Sequence, residues 1–431
     1  MRWLARLVGM LLGAPARAVR GTARRVGDPA RQVFDYWASE RTTMRQAFVA
    51  NFISVLTSLV AGLTLAGMSG RLDQIEGLFI LIPVSIGMRG NIFGGLSARL
   101  GTSIHSGLFE VTTNRRGILA QNVYAATLLT VGTSVAMGVL ARSVAALLGL
   151  TTISVWAFIV VALIGGLLSS VFVLVFTVVL SIQAFRRGWD LDSVGAVLIT
   201  TVGDVVTLPC LLLASYLLGI HLVTPIVGVV GLLVGIVAVV HGWTVVLPVA
   251  RRIVRESFPV LCIAIVLDIL AGTAVQPRLE HFLAYGAFLL VIPGFLENTG
   301  ALGSILAARL GSKLHLGAVP ARARPDAVAF LDGSVVLLLG VVVYGLTVIT
   351  TLPVAEIFNE GYPGVLRFVG IVMLGGMLAT VVACVIGYYA AILTFRFGLD
   401  PDNHTIPLVT SGMDLLGVIC FVVALVVFGV A

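Results

Sequence analysis

Residues 155 to 180 read VWAFIVVALIGGLLSSVFVLVFTVVL, an unbroken stretch without a single charge. A helix of about 20 apolar residues spans the hydrocarbon core of a bilayer. In lipid a helix also satisfies its own backbone donors and acceptors. The run has none of the apolar–polar alternation of a membrane β-strand. Comparable stretches place eleven spans, at 46–69, 76–98, 118–141, 153–184, 194–218, 222–249, 256–275, 281–307, 327–350, 367–392 and 405–430. Only 11% of the 431 residues are charged, against about 25% in a soluble domain. The expected fold is an all-α polytopic membrane protein.

The net charge of +7 raises the question of nucleic acid, but the basic residues lie in short loops between spans. With the N-terminus inside, 22 of the 27 basic residues fall on the cytoplasmic side, and only Arg71, Arg142, Arg278 and Arg367 fall outside. The positive-inside rule accounts for that bias, puts the C-terminus outside and makes the bilayer the partner. The plasma membrane is the expected location. The first 45 residues hold nine arginines. The apolar core of LVGMLLGAPARA is only about seven residues, short for a signal peptide, so a cytoplasmic surface-lying segment is expected. Cys210, Cys262, Cys384 and Cys420 sit inside apolar spans without metal-ligand spacing and read as core residues.

The chain repeats itself at an offset of 210 residues. PVSIGMRGNIFGGLSARLGTSIHSG (83 to 107) aligns without a gap to PGFLENTGALGSILAARLGSKLHLG (293 to 317). RQAFVANFISVLTSLVAG (45 to 62) pairs with RESFPVLCIAIVLDILAG, and FRRGWDLDSVGAVLITTVGD (185 to 204) with FRFGLDPDNHTIPLVTSGMD. Coincident Asp, Arg, His and Gly mark a duplication. The expected organisation is a basic segment 1–45, a first five-helix repeat 46–218, a linking transmembrane helix 219–254 and a second repeat 255–431. Because one span intervenes, both copies enter the membrane from the same side. Parallel repeats are related by a pseudo-two-fold axis along the membrane normal, so equivalent residues near that axis face each other.

Asp204 and Asp414 are equivalent, and each lies mid-membrane in the fifth span of its repeat. A carboxylate there costs about 2.5 kcal/mol or more unless it meets water, a partner or a cation. A protonated acid bonding a neighbouring helix is the alternative account; two acids at one repeat position favour function. Two facing carboxylates match a divalent cation. Mg²⁺ keeps its waters and prefers octahedral oxygens, so Asp204 and Asp414, with Thr200 and Thr410 one turn earlier, suit a largely hydrated ion. Mn²⁺ or Co²⁺ fit the same ligand types. In the second span Pro83 frees a backbone carbonyl and Gly87, Gly90, Gly94 and Gly95, with Asn91, expose backbone oxygens to an ion path, tight helix packing being the other reading. Arg89 and Glu297 suggest an ion pair between the halves, structural or part of a gate. Asp268 and Asp332, opposite Ser58 and Asn122 in the other copy, are weaker candidates for coupling or ion access. Asp190, Asp192, Asp400 and Asp402 read as helix caps, with an entrance ring for cations as the alternative. His105 and His315 read as helix-end residues.

At IGMRGN, SARLGTSIHSG, AARLGSKLHLG and GLDPDNHTIPLVTSGMDLLG the chain resembles the MgtE-type magnesium transport family in its fused two-repeat form, over nearly all of 45–430. The resemblance implies a divalent-cation pathway between the halves with the fifth-span aspartates, here Asp204 and Asp414, at the ion site. The family's second-span glycine–asparagine pair falls on Gly90 and Asn91; in the second copy Gly300 is kept and Ala301 replaces asparagine. The magnesium-sensing cytoplasmic domains of bacterial members have no counterpart here. Mg²⁺ is then cargo, no cofactor is expected, and a monomer suffices for a pore while a dimer is compatible. The rivals are a Na⁺- or H⁺-coupled Mg²⁺ exchanger using Asp268, Asp332 and Glu297, and an intramembrane aspartyl protease. TVGD and SGMD depart from the glycine–x–glycine–aspartate pattern of such proteases, and no enzyme activity is expected.

Overall fold

A computed structural model of the chain describes residues 28–112, 114–187, 191–220, 222–398 and 404–430. Among the described residues there is no strand. Helix α1 is Asp28–Ser39, followed by α2 (Arg41–Gly67) and the short α3 (Ser69–Gln74). The second span of the first repeat is a 3₁₀ turn Leu78–Ile80, α4 (Leu81–Arg89), a π-helical turn Gly90–Gly94 and α5 (Gly95–His105). Helices α6 (Ile118–Leu147), α7 (Val155–Arg187) and α8 (Leu191–Ser215) complete that repeat. The linking helix α9 is Val223–Thr244. The second repeat has α10 (Pro248–Val275), the short α11 (Leu279–Ala284), α12 (Gly286–His315), α13 (Ala327–Ile357), α14 (Val365–Phe397) and α15 (Ile406–Val427).

Eleven helices are long and apolar enough to cross a membrane. Several run beyond the ends expected from hydropathy. The seventh begins at Pro248, the fourth ends at Arg187 and the ninth at Ile357, because a helix continues past the apolar run until capping chemistry stops it. Much of that chemistry is duplicated. Gly107 and Gly317 are left-handed at φ 71 and 70, Gly219 and Gly429 at φ 82 and 65, and Gly149 aligns with left-handed Asn359 at φ 56. The Leu108 N–H reaches the Ser103 carbonyl at 2.9 Å, as Ala318 N–H does Lys313. These are the backbone bonds of a Schellman stop.

The first helix of each repeat reaches across to the other repeat while also packing on the fifth span of its own, α2 on α8 and α10 on α15. Helix α2 packs on α12 and α13 of the second half, and α10 packs on α4 and α6 of the first. The two crossings are equivalent in detail. Gly62 lies against the Leu290 backbone, and Gly272 lies against Ile80, whose carbonyl would sit 2.8 Å from any Cβ at 272. Helices in lipid gain little from hydrophobic exclusion, and small residues let their backbones approach. Helix α9 has no counterpart. It leans on α6, α7 and α10 through Gly228, Gly231, Gly235 and Gly242, which meet Trp156, Leu163, Val135 and Val254.

Helix α1 docks on the second repeat. The Tyr36 hydroxyl donates to Asp332 Oδ1 at 2.7 Å, and Trp37 Nε1 to Ser334 Oγ at 3.0 Å. Asp332 is also held by Arg309 at 2.7 Å and Lys313 at 2.6 Å, and Glu40 lies 3.2 Å from Arg309. The equivalent contact in the first repeat joins Arg99 Nε to Asn122 Oδ1 at 3.0 Å. Asp332 therefore sits in an ion-pair network near a helix end.

Candidate functional site

Two helices carry the sequence-predicted aspartates. In α8, Thr200 and Asp204 are one turn apart, and in α15 Thr410 and Asp414 are likewise. Asp204 is 3% exposed and Asp414 8%. They lie within electrostatic range of each other. Each also has a second acid. Asp204 meets Glu297 of α12, and Asp414 meets Asp268 of α10. Four carboxyls from four helices thus surround the seam between the halves. No Lys or Arg pairs with any of them among the described residues. Asp268 is fully buried against Ser411 and Asp414, with neither oxygen in a hydrogen bond of ordinary geometry; Asp204 Oδ2 is likewise without one.

Gly87 lets these groups meet. A Cβ at position 87 would lie 2.7 Å from Asp268 Oδ2 and 3.4 Å from Asp414 Oδ2. A side chain there would occupy the space of the acids. Gly87, Gly90, Asn91 and Gly94 share one helix face and are partly exposed, while Met88, Arg89, Ile92 and Phe93 are buried. The equivalent face of α12 is the same: Glu297, Ala301 and Ser304 are partly exposed between buried neighbours. The two stripes define a polar seam inside an otherwise apolar bundle.

Asn91 ties the halves together. Thr410 Oγ1 donates to Asn91 Oδ1 at 3.1 Å, and Asn91 Nδ2 points to Ser411 Oγ at 3.4 Å. Asn91 lies in the π-helical turn Gly90–Gly94. Such single turns concentrate at functional sites. Helix α12 has no such turn, being α-helical from Gly286 to His315. Gly90 packs on Thr200, whose methyl would be 3.4 Å from a Cβ, and Gly300 packs on Thr410 in the same way. A cavity of about 10 Å³ beside Asn91, Arg99, Ser257 and Pro407 has room for about one water.

Two expectations need correction. Arg89 forms no ion pair with Glu297. It turns from the seam and donates through Nη1 to the Gly166 carbonyl at 2.6 Å and to the Ser170 hydroxyl, both on α7. The alignment register placed Arg89 and Glu297 close, but they point from different helices to different neighbours. Glu297 accepts instead from the Ser58 hydroxyl of α2. Asp332 likewise lies apart from the seam, neutralised by Arg309 and Lys313. Asp190, Asp400 and Asp402 lie outside the described residues, and Asp192 falls in α8 without a described side chain. Helices α5 and α12 end at His105 and His315. All four cysteines are free. Among the described residues, no three His, Cys, Asp or Glu side chains form a metal-holding group; the acids are arranged as two pairs. Sequence reasoning missed Ser411 as a neighbour of Asp268. It also missed Ser58 as the partner of Glu297, though the alignment of Ser58 with Asp268 was a usable signal.

A family model described as a divalent cation transporter, MgtE, matches residues 82–214 and again 292–424. The two matches repeat the 210-residue offset and cover more than half of the chain. The chain belongs to the MgtE family. The transporter is also similar to solute carrier family 41 member 3 of Rattus norvegicus, at 24% identity over 405 residues, spanning 87% of this chain and 85% of the relative. Solute carrier family 41 member 2 of Homo sapiens is 24% identical over 385 residues, 80% of this chain and 63% of the relative. Its Xenopus laevis counterpart is 25% identical over 380 residues, 79% and 63% of the two chains. No solved structure matches the transporter. Membership in a family of transporters removes the intramembrane-protease reading.

Proposed function

We propose that the chain carries Mg²⁺ across the plasma membrane along the seam between its halves. Asp204 and Asp414 hold a largely hydrated ion there, with Thr200, Thr410, Asn91 and Gly90 shaping the passage. The observation that carries this is the convergence of two buried, equivalent aspartates, unpaired with any Lys or Arg among the described residues, in a membrane-spanning interior. Facing carboxylates repel, and a cation between them removes that cost. Mg²⁺ sheds water reluctantly, and side chains that touch its water shell need not form a close three-ligand cage. Mn²⁺ and Co²⁺ satisfy the same donors. Since both halves belong to one chain, a monomer supplies the whole site. The basic side of the bundle is the cytoplasmic one by the positive-inside rule.

The test is Mg²⁺ flux into proteoliposomes, with wild type beside Asp204→Asn and Asp414→Asn. Loss of one charge-assisted contact is worth about 1.5–3 kcal/mol, so each variant is expected to lose roughly 10- to 100-fold. Wild-type flux in the double variant would end the proposal. A coupled exchanger is a second reading, favoured by Asp268 and Glu297, which bring the carboxyls to four, more negative charge than one Mg²⁺ balances. Flux that stops when Na⁺ and H⁺ gradients are collapsed supports the exchanger; flux that continues supports a channel.

A further inference from the structure

The repeat offset and the exchanged first helices give Asp268 and Glu297 a relation that alignment hides. Aligned position to position, Asp268 matches Ser58, and Glu297 matches Gly87. Neither acid has an acidic counterpart, and the copies look asymmetric at both places. In space the positions are joined. Position 58 on α2 meets position 297 on α12, and position 268 on α10 meets position 87 on α4. The first contact is the Ser58 hydroxyl on the Glu297 carboxylate. The second is Asp268 Oδ2 beside Gly87, 2.7 Å from where its Cβ would lie. They are the same contact in the two halves, made by a first-span residue with a second-span residue of the other repeat.

Each contact therefore holds one acid and one small residue, with the roles reversed. In one half the first span supplies an aspartate and the second span a glycine. In the other the second span supplies the longer glutamate and the first span a serine. Both arrangements deliver one carboxyl to the same place, against the fifth-span aspartate of the repeat that supplies the first span: Glu297 on Asp204, and Asp268 on Asp414. Independent of the acid count, polar atoms stand unsatisfied around both places. Asp268 is fully buried against Ser411 and Asp414 with neither oxygen in a hydrogen bond of ordinary geometry, and the hydroxyl of Ser54, 5% exposed one turn before Ser58 and within reach of Glu297, is likewise without one.

From this geometry we infer that Asp268 and Glu297 are equivalent cation-binding residues, each completing one half of the ion site beside Asp414 and Asp204. This rests on the transport reading above. The ligand class is unchanged, a divalent cation with its water shell. The addition is that four carboxyls act on it, in two half-sites each built from both repeats. What each half-site needs is one carboxyl at the crossing, and which helix delivers it is immaterial.

That last point is testable by moving the charge. Glu297→Gln and Asp268→Asn are compared with Ser58→Asp/Glu297→Gly and with Asp268→Ser/Gly87→Glu. Each double variant copies into one half the chemistry already present in the other. Mg²⁺ flux in proteoliposomes and Mg²⁺-dependent thermal stabilisation of the detergent-solubilised chain are both read. The single variants are expected to lose about tenfold in flux and to need more Mg²⁺ for stabilisation. The double variants should return to within about threefold of wild type. Single variants that transport like wild type, beside inactive Asp204→Asn and Asp414→Asn, would overturn this inference alone. Double variants that fold but stay as impaired as the singles would overturn the equivalence. Active Asp204→Asn and Asp414→Asn would instead remove the underlying reading. If a double variant fails to fold, Glu297→Asp and Asp268→Glu, which keep the charge, decide the matter. Flux well above the amide variants supports the inference, and equal loss overturns it.

Discussion

Gly87 and Asn91 show how one residue acts at this seam by absence and by presence. Gly87 leaves room for Asp268 and Asp414, so a single methyl group meets a carboxylate oxygen at 2.7 Å. Overpacking of that kind costs about 1–3 kcal/mol. Gly87→Ala is expected to lower Mg²⁺ flux about tenfold, and a proteoliposome assay at matched protein density checks it. Asn91 contributes two cross-half contacts, to Thr410 and Ser411, each worth about 1 kcal/mol. Asn91→Ala is expected to cut flux while Asn91→Asp, which keeps the acceptor for Thr410, retains more. Equal loss in both would show that the amide itself, through Ser411, carries the effect. The fifth-span aspartates were legible in sequence because a repeated polar residue stands out against an apolar background. Asn91, which has no asparagine counterpart, was legible because it is polar among apolar neighbours and falls on the family's glycine–asparagine pair. The partner of Glu297 was not, since alignment register carries no information on which helix a side chain meets.

At the scale of elements, the helices packed around Asp268 and Asp332 tell the two acids apart. Asp268 and Asp332 look alike in the sequence: each is a lone acid in a span with a non-acidic counterpart. Their neighbours decide between them. Asp332 is countered by Arg309 and Lys313 from α12 and bonded by Tyr36 from α1, whereas among the described residues Asp268 has no Lys or Arg partner. Removing one partner of a buried ion pair costs about 3–5 kcal/mol. Asp332→Asn is expected to lower the thermal midpoint of the solubilised chain clearly, and Tyr36→Phe by less, about 1 kcal/mol. In Asp332→Asn the flux per folded molecule should stay near wild type. A selective loss of flux with unchanged thermal stability would instead place Asp332 in the transport path.

On the scale of the whole molecule, the exchange of first helices makes the two halves interdependent. Helix α2 buries its glycine face on the second repeat, and α10 does so on the first. A chain cut between the halves strips each first span of its contacts with the other repeat and leaves it packed only on the fifth span of its own. Fragments 1–222 and 223–431 are therefore expected to purify together when co-expressed and to aggregate when made singly, as size-exclusion chromatography would show. Two fragments that are each monodisperse alone would mean that the repeats fold as separate bundles. The same exchange explains why both half-sites draw residues from both repeats, so that a change in how the halves pack alters both together.

Composition and periodicity alone determined the membrane class, the eleven spans, the duplication and the pairing of Asp204 with Asp414. Those are properties of local hydrophobicity and of residue identity at a constant offset, which a linear reading contains. The crossing of α2 and α10 into opposite halves was decided only by tertiary packing. So were the turning of Arg89 toward α7, the neutralisation of Asp332 and the meeting of Asp268 and Glu297 with the central aspartates. The physical reason is that in lipid every span is apolar enough to face any other. The choice among neighbours then rests on where glycines admit a backbone and where a buried charge finds its partner, and both depend on the assembled bundle.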